Sequence, residues 1–288
     1  MADVPAQAVA QLREKTGLGF LLCKKALAET GGDMDKAIEF LRKQGAAVAA
    51  KRSGRETKEG KVVLSGGAGA VAAVEINCET DFVASSDDFN GFAAKVVRVI
   101  LEKQPASPEA LKSLPLDGST VGEVNTAVIA KIGENITVRR FVSEKLGPGE
   151  LAETYSHMQG KIGVIVKIGY SGEAKDRAAL GALAKDLAMQ VAASAPIAIE
   201  PKDVPASVVE KEREIARELT LKEGKTGDIV EKIVEGKVQK FFKENCLSNQ
   251  VFIKDSKQSI DKLLAATAKA QGLESIKVLA FHRLQLGQ

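Results

Sequence analysis

A chain of 288 residues, 44% of them apolar, is long enough for about two domains and for real hydrophobic cores. Its 41 Lys+Arg against 38 Asp+Glu leave a net charge of only +3, which argues against a protein that coats phosphate backbones; with no Trp and two Tyr it also lacks the aromatics that single-strand binders stack on bases. Three widely spaced cysteines (Cys23, Cys78, Cys246) and two histidines (His157, His282) argue against a disulfide framework, a His-based metal site or a Ser-His-Asp arrangement, so neither catalysis nor a cofactor is expected.

Met1-Ala2-Asp3-Val4-Pro5 has no basic start leading into an apolar run, and the longest apolar stretch, 68–74, is far short of the ~20 residues a membrane helix needs. A cytoplasmic protein with no membrane partner is expected. Residues 1–50 read as three short helices, because Val9 and Leu12, then Cys23, Ala26 and Leu27, then Met34, Ala37, Ile38 and Leu41 recur at three- or four-residue spacing. Gly17, Gly19 and Gly31-Gly32 separate them, Asp33 is the expected N-cap of the third and Gly45 its expected C-cap. The tract KRSGRETKEGK at 51–61 holds no apolar residue and is expected to be a linker. Lys51, Arg52 and Arg55 have the chemistry to touch phosphate, but the interspersed Glu56 and Glu59 favour a solvated connection.

Beyond the linker the period changes. In 62–145, Gly66-Gly67-Ala68-Gly69 is a hairpin turn before a buried strand at 70–78; helices follow at 88–101 and 121–132, then a strand at 136–142. The layout repeats in 146–203 and 245–288. A strand at 162–168, a bend at Ser171-Gly172-Glu173, a helix at 176–193, a short strand at 250–253, a helix at 259–271 and a last strand at 276–284 make the second unit. Inserted at 204–244 are two charge-rich helices joined by Gly224-Lys225-Thr226-Gly227. That turn lacks the earlier glycine of a phosphate-binding loop, so it reads as a helix-hairpin turn. The fold class is α+β.

Thr80-Asp81-Phe82-Val83 occupies the strand-to-helix bend of the first unit, where the second unit has small polar residues. Phe82 either staples the helix start into the core or stands on a loop tip as a probe for a partner; composition alone favours the staple. His157 is expected just before a strand, where a surface or structural role is the commoner one.

The stretches Thr16-Gly-Leu-Gly-Phe-Leu-Leu-Cys-Lys-Lys-Ala-Leu27, Glu75-Ile-Asn-Cys-Glu-Thr-Asp-Phe-Val-Ala84 and Lys131-Ile-Gly-Glu-Asn-Ile-Thr-Val-Arg-Arg140 closely resemble the bacterial translation elongation factor Ts family. The resemblance continues in order through Lys161-Ile162-Gly163-Val164, Val191-Ala-Ala-Ser-Ala-Pro196 and Ile233-Val-Glu-Gly236. It implies an N-terminal ubiquitin-associated-like domain, a core of two related subdomains and a dimerisation-type hairpin, in a guanine nucleotide exchange factor for the GTPase elongation factor Tu. By the same resemblance Asp81 and Phe82, flanked by Thr80 and Val83, would enter the GTPase beside its magnesium and switch region. Lys24 with Phe20 and Leu21 would meet a helix near the guanine site, and Ile132, Gly133 and His157 would extend the core contact. The apolar face of the hairpin (Ile229, Ile233, Phe241) would pack on itself or on a second copy in a homodimer.

Three features depart from the family pattern. Phe20-Leu21-Leu22 stands where many members have two methionines and an acid, and Val251 where proline is frequent. The sequence ends at Gln288 just after its last strand, where some members continue into a helix that contacts the partner. A competing reading, an RNA-associated protein using the basic tract and first helices, predicts steeply salt-dependent RNA binding. A minimal enzyme site around His157 is a third.

Overall fold

The computed structural model describes residues 4–67 and 69–288; Met1, Ala2 and Asp3 of the N-terminal stretch, and Ala68 of the glycine-rich turn, lie outside the described residues. Helices α1 (Ala6–Thr16), α2 (Phe20–Glu29) and α3 (Met34–Arg52) enclose a small core of Val9, Leu12, Cys23, Ala26, Leu27, Ala37 and Leu41. Asp33 caps α3, its carboxylate accepting the Lys36 N–H at 3.0 Å.

Two sequence expectations fail here, for one reason. Gly45 does not end α3: it is buried inside a helix that runs on through Ala46, Ala47, Ala49 and Ala50, strong helix formers that carry the chain past a single glycine. A side chain at Gly45 would place its Cβ 3.3 Å from Ala130 Cβ, so glycine serves the close crossing of two helices rather than a cap. The expected linker at 51–61 shrinks accordingly to residues 53–58, with Lys51 and Arg52 finishing α3 and Glu59 opening a strand. Even this remnant is held, since Asn135 Nδ2 donates to the Arg55 carbonyl at 2.9 Å.

The first unit comprises β1 (Glu59–Gly66), β2 (Ala70–Cys78), α4 (Asp81–Ser85), α5 (Asp87–Lys103), α6 (Pro108–Lys112), β3 (Pro115–Leu116), β4 (Ser119–Thr120), α7 (Val121–Ile132) and β5 (Thr137–Lys145). The second comprises β6 (Glu150–His157), β7 (Ile162–Ser171), α8 (Arg177–Ser194), the hairpin helices α9 (Ala206–Lys222) and α10 (Ile229–Asn245), β8 (Val251–Phe252), β9 (Asp255–Ser259), α11 (Ile260–Gln271) and β10 (Ser275–Gln285). Each unit builds an antiparallel sheet in the same way: a hairpin, then helix, two-stranded ribbon and helix, then a third strand on the far side of the hairpin's second strand, giving orders β1-β2-β5 and β6-β7-β10. This is an α+β architecture repeated twice, with α9 and α10 added between α8 and the second ribbon.

The two sheets face each other through Val62, Val71, Ala73, Ile165 and Leu284, while α5 and α7 cover the outer face of the first and α8 and α11 that of the second. Gly163 on β7 marks the closest approach, where an added Cβ would lie 2.3 Å from Val62 Cγ1. Strand β6 was not anticipated; its last residue is His157, which therefore ends a strand and starts the turn to β7 instead of merely preceding one. In the hairpin the buried stripe of α10 is Val230, Val234 and Val238, the first two packed with Ala216; Ile229 is exposed and Ile233 half-buried, while Phe241 packs at the base of the hairpin. Ile229 and Ile233 each lie one residue off that stripe, a rotation of about 100° around the helix. No helix among the described residues is long and apolar enough to cross a membrane.

Candidate partner-binding site

The end of β2 delivers the chain into α4, a five-residue helix begun by Thr80 and ended by Ser86, which caps α5 in turn. Thr80 Oγ1 accepts the Val83 N–H at 3.3 Å. Of the side chains so placed, Ala84 is buried and Val83 half-buried against the first core, whereas Asp81 is exposed and Phe82 is 83% exposed. Phe82 is thus no core staple.

What fixes this turn is a pair of crossed carboxylates. Glu134 Oε2 accepts the backbone N–H groups of Glu79 (3.1 Å) and Thr80 (3.0 Å), and its Oε1 accepts the Thr80 hydroxyl at 2.7 Å. Glu79 returns the arrangement: its Oε1 accepts the Asn135 N–H at 2.7 Å and faces Arg52 Nη1 at 3.7 Å, while its Oε2 takes Arg55 Nη1 at 3.1 Å. The Asn135 N–H, working against burial and helped by Arg55 and Arg52, holds the Glu79 carboxyl below its ordinary range. Behind the turn Cys78 donates to the Thr80 carbonyl at 3.1 Å. Burial, with the Glu134 and Glu59 charges, pushes its thiol up to about 12, so it is a packing group rather than a nucleophile.

Ile132 and Gly133 join this clamp directly. Ile132 is half-buried on the first core, and Gly133, at φ +85°, ends α7 in the left-handed conformation that turns the chain and lets Glu134 reach Thr80. His157 belongs to the second unit yet approaches the same end of β1. The turn after it, Met158–Gly160, lies on Lys61 and Val62, and Lys161 Nζ meets Glu59 at 2.6 Å, where Glu59 is paired in register with Cys78.

Phe20, Leu21 and Lys24 sit apart, on α2. All three are exposed, Leu21 at 79%, and none fills the helical core. Their domain meets the first unit where α3 crosses α7 and where the Gly17 turn stands beside the Lys131 ammonium.

The sequence reading missed Glu79, Glu134, Asn135, Tyr155 and Met158, and it put Arg55 in a solvated connection where the structure pairs it with Glu79. Glu79, Glu134 and Asn135 were within the quoted motifs, but no spacing rule shows that a carboxylate 54 residues downstream caps a turn. Met158 offered no signal; it is 64% exposed with φ +51°.

A turn tied by crossed carboxylates that shows an aromatic and an acid to solvent, with further apolar side chains exposed on a small helical domain, is the kind of surface by which proteins grip macromolecular partners. The elongation factor Ts family profile matches residues 79–288. The chain is 47% identical over 270 residues to elongation factor Ts of Burkholderia thailandensis, covering 94% of this chain and 88% of that protein. It is 44% identical over 290 residues to that of Desulfovibrio desulfuricans, covering 99% of each. The chain belongs to the elongation factor Ts family, and so to the translation elongation factors of the nucleotide-exchange class.

Proposed function

We propose that this chain binds elongation factor Tu carrying GDP and promotes GDP release by disturbing the magnesium, phosphate and switch region, so that GTP loads during translation elongation in the cytoplasm. The observation that carries the reading is Phe82, 83% exposed beside the exposed Asp81 on a turn tied at both ends. A GTPase holds GDP because Mg²⁺ and its phosphate loop neutralise the phosphates together. A factor that binds the nucleotide-free state best must weaken that arrangement, and by linkage GDP loosens the factor by the same ratio, about 1.4 kcal/mol per tenfold.

In this reading Phe82 wedges partner side chains apart and Asp81 alters the charge around Mg²⁺. Because both ride on a prepaid geometry, little ordering entropy is lost on contact. Phe20, Leu21 and Lys24 supply a second, separate grip near the guanine site, and Ile132, Gly133 and His157 widen the contact made by the core. No bond is made or broken, so the chain needs neither a nucleophile nor a cofactor of its own. The outward residues of the hairpin, Ile215, Leu219 and Ile229, suit a homodimer contact.

The test is release of fluorescently labelled GDP from elongation factor Tu with a sub-stoichiometric amount of this chain. Several GDP released per copy supports exchange. No acceleration over the spontaneous rate refutes it.

A further inference from the structure

Tyr155 and His157 lie two residues apart on β6 and so share one face of the sheet, the face covered by α8. Tyr155 is half-buried there against the second core. Lys185 of α8 stands over its ring, Nζ 5.8 Å from the centroid, and also donates to the Thr154 carbonyl. The phenol is thereby held in place, with its oxygen 3.2 Å from His157 Nδ1 and the two ring planes 30° apart. His157 itself is exposed, and the Tyr155 hydroxyl is the only hydrogen-bond partner of its imidazole among the described residues.

A phenol O–H is a good donor and its oxygen a poor acceptor, whereas the unprotonated nitrogen of a neutral imidazole is a strong acceptor. The pair is therefore satisfied best with Tyr155 donating to Nδ1, which leaves the imidazole proton on Nε2. We propose that Tyr155 is a positioning residue for the partner contact: it fixes the ring of His157 and its Nε2–H tautomer, so that an N–H donor is presented to an acceptor, a carboxylate or backbone carbonyl, on the partner GTPase. The inference rests on the reading of His157 as a contact residue.

With two histidines in the chain, imidazole nitrogen spectra of the intact ¹⁵N-labelled protein are simple to assign. At a pH where His157 is neutral, the wild type should show the Nε2–H pattern, and Tyr155→Phe, which keeps the ring but loses the hydroxyl, should relax it toward the mixture of free imidazole. The same variant should slow stimulated GDP release about fivefold, the worth of one hydrogen bond of ordinary strength. A wild-type Nδ1–H pattern, or a pattern that Tyr155→Phe does not change, overturns the inference. So does normal release by Tyr155→Phe when His157→Ala is impaired. Normal release by both variants would instead remove His157 from the contact.

Discussion

Glu134 is half-buried, and three hydrogen bonds from Glu79 and Thr80 converge on it and set the direction of Phe82. Glu134→Ala should leave two N–H groups and a hydroxyl without their acceptor, costing about 1–3 kcal/mol in urea unfolding, and should slow GDP release although Asp81 and Phe82 are untouched. Normal release by that variant would mean the clamp does not matter. The exposed Leu21 behaves in the opposite way: Leu21→Ala should weaken the complex with elongation factor Tu while the melting temperature of the free chain stays put, which titration and thermal unfolding would check together. At this scale the sequence was half legible. The Thr80–Val83 turn could be placed at a strand-to-helix bend from its neighbours, but whether Phe82 points in or out depends on groups distant in the chain, and composition alone favoured the wrong side.

Among the elements, long amphipathic stripes were readable, as were the edge strands β5 and β10, but the edge strands β1 and β6 were not. Phe89, Phe92, Ala93, Val96, Val97 and Ile100 mark α5, and Leu180, Leu183, Ala184, Leu187, Ala188 and Val191 mark α8, because burial against a sheet imposes the 3.6-residue period. β1 begins Glu-Gly-Lys and β6 reads Glu-Leu-Ala-Glu-Thr-Tyr-Ser-His, so charge and half-burial hide both strands from a pattern search. Their face-to-face packing makes Gly163→Ala a sharp test, since its Cβ would meet Val62 Cγ1 at 2.3 Å. Overpacking of about 1–3 kcal/mol should lower the urea midpoint, and an unchanged midpoint would contradict the close approach of the sheets. The hairpin should prove dispensable for exchange. Its base is built into the second unit through Ala198, Val204 and Cys246 with Val208, Val209, Phe241 and Phe242, so a shortened hairpin must keep that base. Such a chain should retain GDP release, and light scattering would report whether self-association is lost.

Over the whole molecule, one buried charge cluster ties the first sheet to the end of the chain. Glu75 is fully buried on β2; Arg139 Nη1 at 2.8 Å, Arg140 Nε at 2.6 Å and the Gly287 N–H at 2.9 Å meet its carboxylate, and Arg140 Nη2 reaches the Gln285 carbonyl at 3.0 Å. Burial pushes this carboxyl up, but the Gly287 N–H and the two guanidinium groups outweigh it and hold it below the ordinary range. A carboxyl depressed on folding contributes stability that is fully present above its unfolded value, about 4.5, and is lost as the pH falls through its folded value. Unfolding free energy should therefore be level near neutrality and fall in acid. Glu75→Gln should cost about 3 kcal/mol at neutral pH, a modest figure for a buried pair because both arginines are partly exposed, and should flatten part of the acid slope.

The exchange reading stands or falls on Phe82. Thermal unfolding of the free chain and stimulated release of labelled GDP should be measured on one sample of Phe82→Ala. A side chain 83% exposed contributes little to folding, so the melting temperature should be nearly unchanged; loss of about 2 kcal/mol of contact in the exchange transition state should slow release roughly thirtyfold. A folded variant that releases GDP at the wild-type rate, or one that is strongly destabilised while its folded fraction exchanges normally, would contradict the account.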